Sequence, residues 1–128
     1  DPSGNMDDLY PPTDDATVNR AIQDYASAVR RAYGERVKGI YLFGSRARGD
    51  HTPDSDADIA VVLEDADWDF WNEKMLLTDL TYDLLISTGA DLQGWPVRQS
   101  QWATPDLDHS AELVRAMQRD GRPIWLSR

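Results

Sequence analysis

Apolar residues along this chain change their period several times, and each change predicts an element. Val18, Ile22, Tyr25, Val29 and Tyr33 recur at the spacing of one helical face. Thr13 is the expected cap of that helix and Gly34 its stop. Val37–Phe43 is rich in β-branched and aromatic residues and ends at Gly44, which predicts a strand. In the next strand Ala57, Ile59, Val61 and Leu63 alternate with Asp56, Asp58, Ala60 and Val62. Its second face is therefore polar at the start and apolar later. Trp71, Met75, Leu76, Leu80, Leu84 and Leu85 predict an amphipathic helix from about Phe70 to Ile86, closed by Gly89. Ala90–Val97 reads as a third strand, confined to an edge by Pro96, which has no N–H to donate. Leu107, Leu113, Val114 and Met117 predict a helix over 106–120 ended by Gly121, and Ile124–Leu126 a short last strand. Arg46–Ser55 and Arg98–Pro105, the latter carrying Trp102, read as loops.

Helices and strands thus interleave, which gives an α/β (α+β) class with a small mixed sheet flanked by helices. The 128 residues suit one domain. Residues 1–12 read as an acidic, proline-containing arm, with Asp1–Asn5 ahead of Met6 foreign to the fold, and 13–128 as the domain. There is no cysteine, which excludes disulfides, zinc-thiolate sites and cysteine nucleophiles. No apolar run approaches a membrane span and no signal pattern opens the chain, so the expected location is the cytoplasm, away from membranes. The net charge of −10 argues against stable nucleic-acid binding, which needs a basic surface.

Chemistry concentrates between the first two strands. Asp56 and Asp58 are two apart at a strand start, so they aim two carboxylates the same way from a rigid element. Adjacent like charges are costly unless a cation lies between them, and an oxygen-only set suits Mg²⁺ with phosphate and water completing its shell. Gly44 allows a close backbone approach to a phosphate, Ser45 can donate to it, and Arg46 and Arg48 can neutralise further oxygens. A calcium loop through Asp54, Asp56 and Asp58 fits badly: Ile59 stands where the loop needs glycine, and Asp65 where it needs glutamate. A merely solvated acidic loop is the plainer alternative. His51 reads as a solvated loop residue and His109 as incidental. The tryptophans read mostly as core, with Trp68 and Trp71 as candidates for a partner surface. Tyr41 reads as packing on the first strand.

Gly44-Ser45, ten residues (Arg46–Ser55), then Asp56-Ala57-Asp58 resembles the signature of nucleotidyltransferases of the polymerase-β superfamily. The resemblance covers about Val37–Val97. It implies that Asp56 and Asp58 ligate metal, that Gly44-Ser45 holds a triphosphate, and that a third carboxylate, matched here by Asp91, completes a two-Mg²⁺ site. In length the chain is most similar to the minimal nucleotidyltransferases, antitoxin partners of HEPN-domain ribonuclease toxins. That similarity implies transfer of AMP from ATP to a tyrosine of such a toxin. Alternatives are a small-molecule transferase of the aminoglycoside-modifying type, whose helical drug-holding domain has no room here, and an antitoxin that acts by binding alone. A polynucleotide polymerase is disfavoured by the charge.

Overall fold

The computed structural model describes residues 14–105 and 111–127. The acidic arm, Thr13, Leu107 and His109 lie outside the described residues. Helix α1 (Asp15–Tyr33) is capped by Asp14, whose Oδ1 accepts from the Thr17 N–H at 2.7 Å, and Gly34 ends it at φ 58°. After a short 3₁₀ turn (Gly34–Arg36) come β1 (Val37–Phe43), α2 (Ser45–Arg48), β2 (Ala57–Leu63), α3 (Phe70–Thr88) and β3 (Leu92–Arg98). The chain continues through α4 (Gln99–Ala103), α5 (Ala111–Asp120) and β4 (Arg122–Leu126). Both expected loops therefore contain a helical turn: α2 opens the first and α4 the second, with Trp102 stacked on Tyr41 at 4.4 Å. The third strand starts at Leu92 rather than Ala90.

The sheet order is β3-β2-β1-β4. β1 runs antiparallel to β2 and β4, and β2 runs parallel to β3, with α3 as the crossover. The sheet is mixed, and Pro96 is on an edge strand as expected. Both faces are covered, which explains why β2 is apolar on both sides past Asp58. Ile59, Val61 and Leu63 join Val18, Ile22, Tyr25 and Val29 of α1 and Leu77 of α3 in the main core. Ala60 joins Phe43, Val97, Val114 and Met117 under α5. The Tyr25 hydroxyl, fully buried, donates to the Leu77 carbonyl at 2.9 Å and so ties α1 to α3. Buried Glu73 accepts from Arg36 Nη2 at 3.0 Å and from the Tyr33 hydroxyl at 3.4 Å, which satisfies a charge that burial would otherwise penalise.

The helix α3 departs from expectation. Its buried side chains are Glu73, Leu77 and Thr81, while Trp71, Met75, Leu76 and Leu85 are exposed. Leu80 and Leu84 of the expected set do pack, half-buried, against the core, but apolar residues lie on more than one side of this helix, so periodicity alone does not single out the buried face. Among the described residues no helix is long and apolar enough to cross a membrane.

Candidate active site

Antiparallel pairing brings the two halves of the motif together. Phe43 at the end of β1 pairs with Asp58 at the start of β2, so Gly44-Ser45 leaves the sheet beside the Asp-x-Asp pair. Gly44 takes φ 77°, and a Cβ there would come within 2.8 Å of Asp58 Oδ2. Only glycine provides both the turn and the room for that carboxylate. The third acid arrives through the parallel pairing of β2 and β3: Ala57 pairs with Leu92, and the Ala57 N–H donates to the Asp91 carbonyl at 3.0 Å. Asp56, Asp58 and Asp91, far apart in sequence at their extremes, thus meet at one end of the sheet.

Their electrostatics show the proximity. Partial loss of water pushes Asp56 up to about 6, reinforced by close contact with the Asp91 carboxyl and by the Asp91 and Asp58 charges, against the opposing Arg46. Asp56 is exposed as a whole residue, yet the protein surrounding its carboxyl is enough to disfavour the anion. Burial also raises Asp58; the Trp95 indole, which donates to Asp58 Oδ1 at 3.4 Å, and the Lys74 charge oppose this, and Asp91 adds to it. Such a cluster of mutually repelling carboxylates is what a divalent cation relieves. Among the described residues no group of three acidic or histidine side chains is placed to hold a metal ion by itself, so further oxygens would have to complete a shell. An open oxygen set fits Mg²⁺, which keeps water and phosphate in its shell.

The rest of the loop is held in place rather than left free. Arg46, expected to reach phosphate, is buried and bound within the protein: Nε donates to the Ser55 carbonyl at 2.9 Å, Nη2 to the Pro53 carbonyl at 3.4 Å, and Nη1 to Asp15 at 3.2 Å. It acts as a strut that folds the Arg46–Ser55 segment against the start of α1. His51 is not the solvated residue expected: its side chain is only 20% exposed, and Nε2 pairs with Asp15 Oδ1 at 3.0 Å. Arg48 bridges Asp50 at 3.1 Å and Asp120, at the end of α5, at 2.8 Å.

Two residues around Asp58 escaped the sequence reading, Trp95 and Lys74. The Lys74 ammonium donates to the Gly94 carbonyl at 2.7 Å and lies 4.2 Å from the centre of the Trp95 ring. Alternation along Asp91-Leu92-Gln93-Gly94-Trp95 places Trp95 on the same side as Asp91 and Gln93, a signal the sequence did carry. Nothing in the sequence places Lys74 there.

The nucleotidyltransferase domain family matches residues 22–103 of the chain. The chain belongs to that family. Within it, the chain is similar to a Methanocaldococcus jannaschii protein provisionally named as a protein adenylyltransferase, at 41% identity over 70 residues. That match spans 55% of this chain and 63% of the relative's length, less than two thirds. The solved structure of a Sulfolobus solfataricus protein provisionally named as a nucleotidyltransferase shares the fold with a TM-score of 0.61 at 16% identity, over 87% of this chain and 85% of that one. A toxin–antitoxin structure with AMP-PNP superposes with a TM-score of 0.54 at 21% identity, over 83% and 74% of the two chains. The complex of a tri-AMPylated Shewanella oneidensis HEPN toxin with its MNT antitoxin gives 0.50 at 18%, over 84% and 72%. These structural likenesses show a common fold.

Proposed function

We propose that this chain is a Mg²⁺-dependent protein adenylyltransferase that moves AMP from ATP to a hydroxyl, a tyrosine, of a partner HEPN-type toxin and so acts as its antitoxin. The observation that carries the reading is the meeting of Gly44-Ser45 with Asp56, Asp58 and Asp91 at one end of the sheet. The named relative and the antitoxin complexes support the choice of acceptor.

Asp56, Asp58 and Asp91 would hold Mg²⁺, two ions in this reading. Bound there, Mg²⁺ supplies charge neutralisation at the attacking and leaving oxygens. Ser45 opens α2, and its hydroxyl and backbone N–H hold the triphosphate, while the Ala47 and Arg48 N–H groups donate to the Gly44 carbonyl and close the turn. Gly44 keeps this turn clear of a side chain. Arg46, from within the fold, fixes the loop that follows and thereby the position of Ser45. The acceptor hydroxyl attacks the α-phosphorus, its proton passes to the carboxylate cluster, and pyrophosphate leaves. The fixed donors need no reorganisation as charge develops, which is where such sites gain rate.

Intact-mass spectrometry tests this. The protein encoded beside this chain is incubated with it, Mg²⁺ and ATP, with Asp56→Asn/Asp58→Asn as the control. The expected result is a mass gain in whole adenylate units on a tyrosine, absent in the control. A stable complex without a mass gain would sink the catalytic reading and leave an antitoxin that acts by binding.

A further inference from the structure

Six of the eight exposed large apolar residues among the described residues lie on one helix, α3: Trp71, Met75, Leu76, Tyr82, Leu85 and Ile86. Trp71, Met75, Tyr82 and Ile86 follow one another at intervals of four, seven and four, so they form a single stripe, with Leu85 beside it. Trp71 is 68% exposed and Ile86 81%, values that a solitary surface residue can have but a contiguous stripe on a free monomer rarely does.

Charge decides what covers the stripe. The exposed charged residues of α3 are Asp79 and Asp83, both acidic. Its one base, Lys74, is bound to the Gly94 carbonyl and the Trp95 ring. A second copy of this chain would set Asp79 and Asp83 against their own kind, with a charge of −10 on each molecule. A partner with apolar side chains rimmed by Lys and Arg would meet complementary potential instead. Position adds a reason. The helix α3 runs back towards the end of the sheet where β2 begins, and its cap Gly89 stands two residues before Asp91. A protein seated along the stripe therefore extends to the edge of the carboxylate cluster.

We infer that the exposed face of α3 is the docking surface for the acceptor protein, which presents to it an apolar face rimmed by basic residues. This rests on the reading that the acceptor is a protein. The probe is a dye-labelled synthetic helical peptide with leucine on one face and lysine around it, followed by fluorescence anisotropy with the full chain. The same peptide with glutamate for lysine is the charge control. The chain is expected to bind the lysine peptide and not the glutamate one, and Tyr82→Ser/Ile86→Ser, which changes no charge, weakens binding at least about tenfold. Both positions are exposed, so the variant keeps its fold, which circular dichroism checks. Equal binding by this variant would mean attraction by net charge only and would overturn the inference. So would a wild-type dimer in sedimentation that Ile86→Ser dissociates. Asp58→Asn, in contrast, loses transfer and keeps peptide binding, so failure of the catalytic reading and failure of the docking surface are read on separate variants.

Discussion

The Trp95 indole N–H reaches Asp58 Oδ1 at 3.4 Å while Lys74 covers its ring, so the orientation of one carboxylate is set by residues from β3 and α3. Outer partners of this kind fix a metal ligand's direction, and their loss costs roughly 10–100-fold in metal affinity. Trp95→Phe keeps an aromatic ring against the second core cluster and removes the donor, together with one ring of the indole. Its Mn²⁺ affinity, read by electron paramagnetic resonance, is expected to fall about tenfold while the thermal melt shifts little. Unchanged affinity would reduce Trp95 to packing.

At the scale of elements, the edge strand β3 is held close under two helices by the absence of a side chain. A Cβ on Gly94 would lie 2.0 Å from the Tyr25 hydroxyl and 3.1 Å from Leu77 Cβ, an approach the structure cannot accommodate without a shift. Gly94→Ala is expected to cost about 1–3 kcal/mol by overpacking. Tyr25→Phe is expected to cost about 1 kcal/mol through the lost bond to the Leu77 carbonyl. The double variant should cost less than the sum, because removing the hydroxyl removes the nearest clash. Urea midpoints of the four proteins measure this, and strict additivity would contradict the contact. The relief is partial, since Tyr25 Cζ still stands 3.1 Å from the added carbon.

For the whole molecule, the carboxylate cluster couples folding to pH. Asp56 is raised to about 6 in the fold, above its ordinary 3.8. Its contribution to stability is thus complete below about 3.8 and is lost as pH rises through about 6. Asp14, Asp65 and Asp120 are lowered by hydrogen bonds, in the last case chiefly from Arg48, and act the other way, favouring the fold above 3.8. The metal-free chain should therefore melt lower at pH 7.5 than at pH 5. After allowance for solvent screening, the Asp56 part is of order 1 kcal/mol, or about 3 °C. Asp56→Asn should recover that difference and abolish most of the rise in melting temperature that Mg²⁺ gives the wild type at pH 7.5. Calorimetry with and without Mg²⁺ decides it; a pH response identical in the variant would refute the coupling.

Much of this architecture is local in origin, and the sequence by itself determined it. Period and punctuation marked α1, β1, β2, α3 and the edge position of β3, because glycine stops, proline's missing donor and side-chain alternation act within a few residues. The Gly-Ser and Asp-x-Asp spacing marked the site, because a fixed loop joins two neighbouring strands. What tertiary structure decided depends on partners distant in the chain. The β2–β3 register brings Asp91 to Asp56, and Asp15, thirty-one residues upstream, accepts from Arg46 and helps hold it within the fold. Lys74 reaches Trp95 and the Gly94 carbonyl from another element. The burial of Glu73 and Thr81 in place of Trp71 and Met75 is the clearest case. An apolar count on a helix gives how much surface can be buried, but only the helices and strands that pack against it fix which side is.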